Sequence, residues 1–267
     1  MAQKKANHIT FFTATPIGSG KASSIYYAFC CCAPFVFGNF KRFMNYFAIY
    51  NSLGYIIGWR HMDVLGEQLK KFSVGISFKE AFKNASENIV SFETCDFGDS
   101  DIEEKYRSME EDALMELDDR YVEANSGGVK LLRCRQLLEC PEVFGLEPKI
   151  RAKDELLKSH LQHILDGSEK QILVYSAFVA EQERIVRICT EMGLRAGLIN
   201  GSVVGAARAS VAKKFESGEF QVLVASPATM AIGFNFEFVS SVVFVSADYD
   251  NSAFHQACFR GNRGTRS

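Results

Sequence analysis

Apolar positions follow two different rules on the two sides of residue 150. Downstream, short continuous apolar runs alternate with stretches whose apolar side chains recur at three- and four-residue intervals. The runs predict buried strands at 171–176, 196–200, 220–226 and 239–246. The intervening periodicity predicts amphipathic helices at 153–165, 181–192 and 206–216, and a last helix carrying Gln256. In the first of these, Leu157, Leu161, Ile164 and Leu165 share one stripe. Buried strands separated by amphipathic helices imply an α/β fold, a parallel sheet covered by helices on both faces. Ligands on such sheets bind past the carboxyl ends of the strands. The polar residues there are Ser176, Asn200, Gly201, Ser202, Ser226, Thr229 and Asp248, followed by the terminal glutamine and arginines.

Upstream the pattern is mostly helical. Strands are expected at 8–13 and 88–95, and helices at 23–33, 39–50, 62–72, 101–124 and 129–138. The apolar stretch 25–37 contains Pro34 and is too short to span a bilayer of roughly 30 Å, so it predicts a buried helix that stops before the proline. Phe40, Phe43 and Phe47 fall at helical spacing, which predicts a core stripe rather than a base-stacking platform. The 101–124 stretch is rich in Asp and Glu and predicts a solvated face unsuited to a DNA backbone. Asn125-Ser126-Gly127-Gly128 is a helix breaker, and the helix after it stops before Cys140-Pro141.

Composition adds mainly exclusions. Hydrophobic residues make up 47% and charged residues 23% of the 267 positions, which excludes a disordered chain. A formal net charge of −2 supplies no bulk attraction for nucleic acid, so any such surface is local. The eight cysteines include the run Cys30-Cys31-Cys32 and no C-x-x-C pair. That predicts free thiols in a reducing compartment, cytoplasmic or nuclear. Cys134, Cys140, His160 and His163 match no familiar zinc spacing, and no metal site is expected. No signal peptide or membrane segment is expected either.

Two stretches carry candidate chemistry. Gly18-Ser19-Gly20-Lys21 looks like the end of a phosphate loop, but the required upstream glycine is replaced by Thr15 and the Ser or Thr after the lysine by Ala22. A glycine turn leading into the first helix is the better account. At the other end, Gln256, Arg260 and Arg263 lie at i, i+4 and i+7, one face of a helix. Planar, permanently charged guanidinium forks suit the developing charge of a phosphoryl group.

The order of motifs resembles the C-terminal half of a superfamily two helicase, nearest to Swi/Snf-type DNA translocases and their viral relatives. Thr13-Ala14-Thr15-Pro16 resembles motif III, which closes the first RecA-like lobe. Val174-Tyr175-Ser176 resembles motif IV; Asn200-Gly201-Ser202, with Arg208 and Phe215, resembles the stretch before motif V. Val222 to Ser226 and Gly233-Phe234-Asn235 resemble motif V, and Gln256, Arg260 and Arg263 match motif VI. Phe37 to Phe43 and Leu131 to Pro141 are similar to conserved segments of Swi/Snf proteins. After Phe72 the family's arginine pair is replaced by Ser73-Val74-Gly75-Ile76.

The resemblance implies a remnant of the first lobe at 1–22, a mostly helical linking region at 23–148 and a second RecA-like lobe at 149–267, truncated after motif VI. It implies ATP and Mg2+ held mainly by a first lobe outside this sequence, so that the chain is expected to be a half-enzyme, whether fragment, split product or truncated frame. Arg260, Arg263 and Gln256 are implied as catalytic, and Gly233, Asn235 and Asp248 as nucleotide-binding. Ser176, Asn200, Gly201, Ser202, Ser226 and Thr229 are implied as nucleic-acid-binding, with duplex DNA favoured, and Thr13 and Thr15 as coupling residues. Plainer roles stay open: Ser176, Ser226 and Asp248 as helix caps and Asn200-Gly201 as a turn. A non-catalytic nucleic-acid-binding module and an RNA helicase half are the alternatives.

Overall fold

Val222, Leu223, Val224 and Ala225 are all fully buried, because the strand they form lies inside a sheet covered on both sides. This strand, β7 (Val222–Ala225), pairs in parallel with β5 (Ile172–Tyr175) on one side and β6 (Ala196–Ile199) on the other. β8 (Ser241–Phe244) adds to β5, also in parallel, giving the order β6-β7-β5-β8. Side chains along a strand alternate between faces, and here the two faces meet different helices. Leu173, Tyr175, Ile199, Leu223 and Ala225 pack with Ala212 and Phe215 of α9 (Gly205–Glu216) and with Ala257 of α11 (Asn251–Cys258). Ile172, Val174, Val222 and Val224 pack with Leu157 and Leu161 of α7 (Ala152–Asp166) and with Ile185 and Cys189 of α8 (Val179–Glu191). The fold class is therefore the expected one, a parallel α/β lobe of RecA type. Gly197 in β6 is required by space: a Cβ there would lie 2.7 Å from a ring carbon of Phe220.

The computed structural model describes residues 8–13, 15–81, 89–167, 170–230, 234, 236, 238–247 and 251–258. Packing divides the chain into two units, 1–84 with 250–252, and 85–249 with 253–267. The sheet belongs to the second. In that unit it is preceded by α5 (Ser100–Asp112), the antiparallel hairpin β3 (Leu114–Leu117) and β4 (Arg120–Glu123), and α6 (Gly127–Glu139). Met109, Met115, Leu117, Cys134, Leu137 and Phe144 form the core of this helical part. Four-residue α10 (Pro227–Met230) follows β7.

The first unit contains α1 (Ser23–Cys32), α2 (Phe40–Phe47), the hairpin β1 (Ala48–Tyr50) and β2 (Ile56–Trp59), α3 (Met62–Phe72) and a short α4 (Phe78–Ala81). Ile25, Tyr26, Phe29, Phe43, Phe47 and Leu65 fill its core. Phe43 and Phe47 are buried as the stripe predicts, whereas Phe40 is partly exposed and its ring packs edge-on against Tyr26. Asn39 caps α2 by accepting the Arg42 N–H at 2.9 Å.

Four expected elements differ. Residues 8–13 are not a strand: no described strand lies beside them, and Phe12 is 95% exposed. The last strand of a first lobe is therefore not formed there. The helix expected over 39–50 ends at Phe47, because Ala48, Ile49 and Tyr50 find ladder partners in β2. The strand expected over 88–95 has no regular structure from 89 on, and Asn88 lies outside the described residues. The long helix expected over 101–124 stops at Asp112: Ala113 takes a left-handed conformation (φ 57°), and the chain turns into the β3–β4 hairpin. The alternation of Leu114 to Leu117 buries Met115 and Leu117, and that burial outweighs helix propensity.

Candidate functional site

The loop after β5 runs toward α8 on one face of the sheet, while the chain after β7 and β8 packs on the other. Connections that diverge this way leave crevices beside β5 at the carboxyl edge. Four loops meet that edge.

After β5, Ser176 is fully buried, and its hydroxyl donates to Glu181 Oε2 at 2.7 Å. After β8, Ser246 donates to the same carboxylate oxygen and accepts the Ala177 N–H at 2.9 Å. Gln182 Nε2 donates to the Ser176 carbonyl at 2.8 Å. After β6, Asn200 Oδ1 accepts the Ser202 N–H at 3.0 Å and the Ser202 hydroxyl at 2.6 Å, an Asx turn around Gly201. After β7, Ser226 Oγ accepts the Thr229 N–H at 3.2 Å and donates to the Thr229 hydroxyl, capping α10. The Thr229 carbonyl receives Arg208 Nη2 at 2.8 Å, with the Arg208 guanidinium 5.7 Å from the Phe234 ring.

Among the sequence-expected residues, Ser176, Asn200, Gly201, Ser202, Ser226 and Thr229 are thus brought to one edge. Gln256 is partly buried on α11, next to fully buried Ala257. Gly233, Asn235, Asp248, Arg260 and Arg263 lie outside the described residues. Thr13 and Thr15 belong to the first unit, where the Thr13 hydroxyl accepts the Thr15 N–H at 3.1 Å.

Sequence reasoning missed Glu181, Ser246 and the role of Arg135. Glu181 has no local signal, since an acidic residue in the first turn of a helix is ordinary. Its importance comes from burial: it is 0% exposed, and its Oε1 has no hydrogen-bond partner. Lys153 Nζ lies 3.8 Å and Arg184 Nη2 3.9 Å from that oxygen. Arg184 also pairs with Asp154 at 3.1 Å and Glu142 at 2.8 Å, and donates to the Glu139 carbonyl. Lys153 pairs with Glu139 and Arg151 with Glu142. Burial, with Glu181 close by, pushes the Glu139 carboxyl up to about 8 against the opposing pull of Lys153. Burial works to raise Glu142 as well, but a backbone hydrogen bond and the Arg184 and Arg151 guanidiniums outweigh it and hold that carboxyl low. Burial also raises the Cys140 thiol to about 12, which keeps it protonated and unreactive.

Beside this ionic cluster is a cavity of about 370 Å³ between the 93–97 segment, Tyr106, the end of α6 and the start of α7. Among the described residues no group of three or more His, Cys, Asp or Glu is arranged to hold a metal ion. Among them, too, no helix is long and apolar enough to cross a membrane.

A parallel sheet covered on both faces, with its polar groups gathered past the strand carboxyl ends, is an open α/β lobe and matches the expected RecA-like one. Its sequence matches a family: residues 152–265, somewhat less than half of the chain, match the helicase conserved C-terminal domain. The chain thus resembles the C-terminal half of a superfamily two helicase. Solved structures similar to it include the C-terminal part of the Fun30 ATPase domain, at 16% identity and a TM-score of 0.42, covering 52% of this chain and 50% of that one. Another is the Sulfolobus solfataricus SWI2/SNF2 ATPase C-terminal domain, at 18% identity and TM-score 0.45, covering 55% of this chain and 68% of that one. A third is the Pyrococcus furiosus Hef helicase domain, at 19% identity and TM-score 0.35, covering 61% of this chain and 32% of that one. The chain spans half the length of the first and about a third of the last. No curated protein matches it.

Proposed function

We propose that the chain supplies the second motor lobe of an ATP-dependent DNA helicase or translocase, completing a nucleotide site whose phosphate loop is carried by a first RecA-like lobe. One observation supports this most: the matched segment, 152–265, coincides with the parallel sheet whose carboxyl edge gathers the polar loops.

ATP supplies the phosphoryl group whose transfer to water drives the motor. The donor set of this chain fits such a ligand, because two guanidiniums, a glutamine and an asparagine suit phosphate oxygens. Arg260 and Arg263 stabilise charge on the transferred group, a contribution of roughly 10³–10⁵ in rate in related NTPases. Gln256, on α11, assists them. In this reading Gly233, Asn235 and Asp248 serve the nucleotide, Gly233 by lacking a side chain and the other two by offering polar groups. As the resemblance implies, Mg2+ would be held mainly by the first lobe.

Asn200, Gly201, Ser202, Ser226 and Thr229 meet the nucleic-acid backbone through hydroxyl and N–H groups, contacts that position without reading sequence. Ser176, whose hydroxyl is turned onto Glu181, acts by holding its loop. Thr13 and Thr15 relay the nucleotide state.

The test is ATP hydrolysis by the full chain, alone and with a first lobe bearing a phosphate loop and an Asp-Glu pair supplied in trans or joined upstream. Alone, no hydrolysis is expected; with the first lobe, DNA-stimulated hydrolysis is expected. Arg260→Ala or Arg263→Ala should lower kcat by about 10³ or more. Robust hydrolysis by the chain alone overturns the reading. Salt-dependent DNA binding with no rescue of hydrolysis favours a non-catalytic binding module.

A further inference from the structure

Two side chains from different parts of the second unit grip the same pair of loops. On the inside is Glu181. Its Oε2 receives the hydroxyls of both Ser176, which follows β5, and Ser246, which follows β8. Ser246 in turn accepts the Ala177 N–H. One carboxylate oxygen therefore fixes how the exits of two neighbouring strands lie relative to each other. On the other side is Arg135 of α6. Its Nη2 donates to the Ala247 carbonyl, and its guanidinium stands 5.1 Å from the Phe178 ring. Ala247 belongs to the β8 exit and Phe178 to the β5 exit, so Arg135 spans the same two loops.

The anchors of these grips differ. Arg135 is carried by a helix whose Cys134 and Leu137 pack in the helical part, away from the sheet's own cores. Glu181 is charge-compensated by Lys153 and Arg184, and both of those reach back to Glu139 at the end of α6. One helix therefore holds the β5–β8 exits twice, directly through Arg135 and indirectly through the buried ion cluster. Only residues 248–250 separate Ala247 from the start of α11, which carries Gln256 and leads to Arg260 and Arg263. Phe254 of that helix packs on Phe244 of β8 with ring centroids 4.6 Å apart. The terminal helix is thus packed on the strand whose exit Arg135 and Glu181 hold.

We propose that Arg135 and Glu181 are positioning residues: together they clamp the β5 and β8 exits and so set the terminal helix that carries Gln256, giving α6 control of the nucleotide edge. The catalytic consequence rests on the motor reading above; the clamp itself does not.

The experiment is amide hydrogen exchange on the full chain, comparing wild type with Arg135→Met, Arg135→Lys and Glu181→Gln. Arg135→Met keeps a long, helix-compatible side chain on a half-buried position and removes the charged donor. Exchange over 246–258 is expected to rise about tenfold in Arg135→Met, the scale of losing a charge-assisted hydrogen bond. β6, β7 and α9 should keep wild-type protection. Arg135→Lys, which retains a donor for the Ala247 carbonyl, should recover part of the loss. Glu181→Gln should loosen 176–178 and 246–258 together. Unchanged exchange over 246–258 in Arg135→Met, or an even rise through the whole lobe, overturns the clamp.

When a first lobe is supplied, Arg135→Met is expected to lower kcat about tenfold with KM for ATP unchanged, because a displaced finger costs only the transition state. A rise in KM at constant kcat overturns the assignment to the terminal helix. Should the wild type show no hydrolysis, the motor reading fails while the exchange result still decides the clamp.

Discussion

Glu139 ends α6 with 8% of its surface exposed, facing Lys153 and close to Glu181. Desolvation and the neighbouring carboxylate favour its neutral form, so its pKa stands near 8 in the folded protein, against about 4.5 for the free group. Between those values the folded state binds more protons at this group than the unfolded state does. The stabilising contribution is therefore complete below the ordinary carboxylate range and is lost as pH rises through about 8. Glu142 works in the opposite sense, its contribution being lost on acidification. Glu139→Gln removes the titration while keeping an acceptor for Lys153. The difference in urea midpoint between variant and wild type should grow in the variant's favour from about pH 5 to about pH 8. A constant difference would mean that Glu139 titrates in its ordinary range. None of this is visible in the sequence, where Glu139 is one acidic residue before Cys140-Pro141. By contrast, Phe43 and Phe47 were legible because their burial follows from helical spacing alone.

Asp99 governs an element in the same way that Glu181 governs two loops. Its Oδ1 caps α5 by accepting the N–H groups of Asp101 and Ile102, and its Oδ2 accepts the Lys149 N–H at 2.9 Å. Gly98 beside it has φ +78° and lies so close to residues 150–152 that a Cβ would meet the Ala152 nitrogen at 2.9 Å. The start of α5 is thereby stitched to the segment leading into α7. Asp99→Ala should destabilise the unit by about 1–2 kcal/mol in denaturant unfolding, while Asp99→Asn, which keeps a capping oxygen, should cost only a few tenths. Elements were legible where periodicity was long: α3 (Met62–Phe72) has the expected bounds, and α7, α8 and α9 differ by a residue or two at their ends. They were misread where the deciding term was non-local. Over the β3–β4 hairpin the acidic residues favour helix over strand, and the burial of Met115 and Leu117 selects the strand nonetheless. Residues 8–13 and 89–95 have strand-like composition but no described neighbouring strand to satisfy their backbone groups.

For the whole molecule, net charge and surface pull in different directions. The chain has a formal net charge of −2, and α5 carries a solvated acidic face braced by the Lys105–Asp101 and Arg107–Glu103 pairs. That helix is therefore unsuited to a nucleic-acid backbone, and under the proposed function the contact falls at the carboxyl edge of the sheet instead. Binding to duplex DNA by the full chain alone should be weak, with Kd on the order of 10⁻⁴–10⁻⁶ M at physiological salt, and should weaken linearly in log–log form as salt rises. Titration of equal lengths of duplex DNA and RNA distinguishes the DNA motor from the RNA helicase half. Tighter binding to RNA at every salt concentration would favour the latter.

The alternation of buried runs and amphipathic stretches after residue 150 determined the α/β class, the parallel sheet and the edge where polar loops converge. It could do so because a strand buried on both faces must be apolar throughout, and a helix lying on such a sheet must be apolar on one side. The ordered motifs added the likeness to a helicase C-terminal half, which the matched segment 152–265 supports. The tertiary structure alone decided which polar side chains face inward. Ser176, a candidate for backbone contact by position, is buried on Glu181, and Arg135, part of the Leu131 to Pro141 segment but given no role there, reaches the Ala247 carbonyl. A hydrogen bond between residues 112 positions apart leaves no periodicity in the chain, since it depends on the packing of elements that local patterns only name.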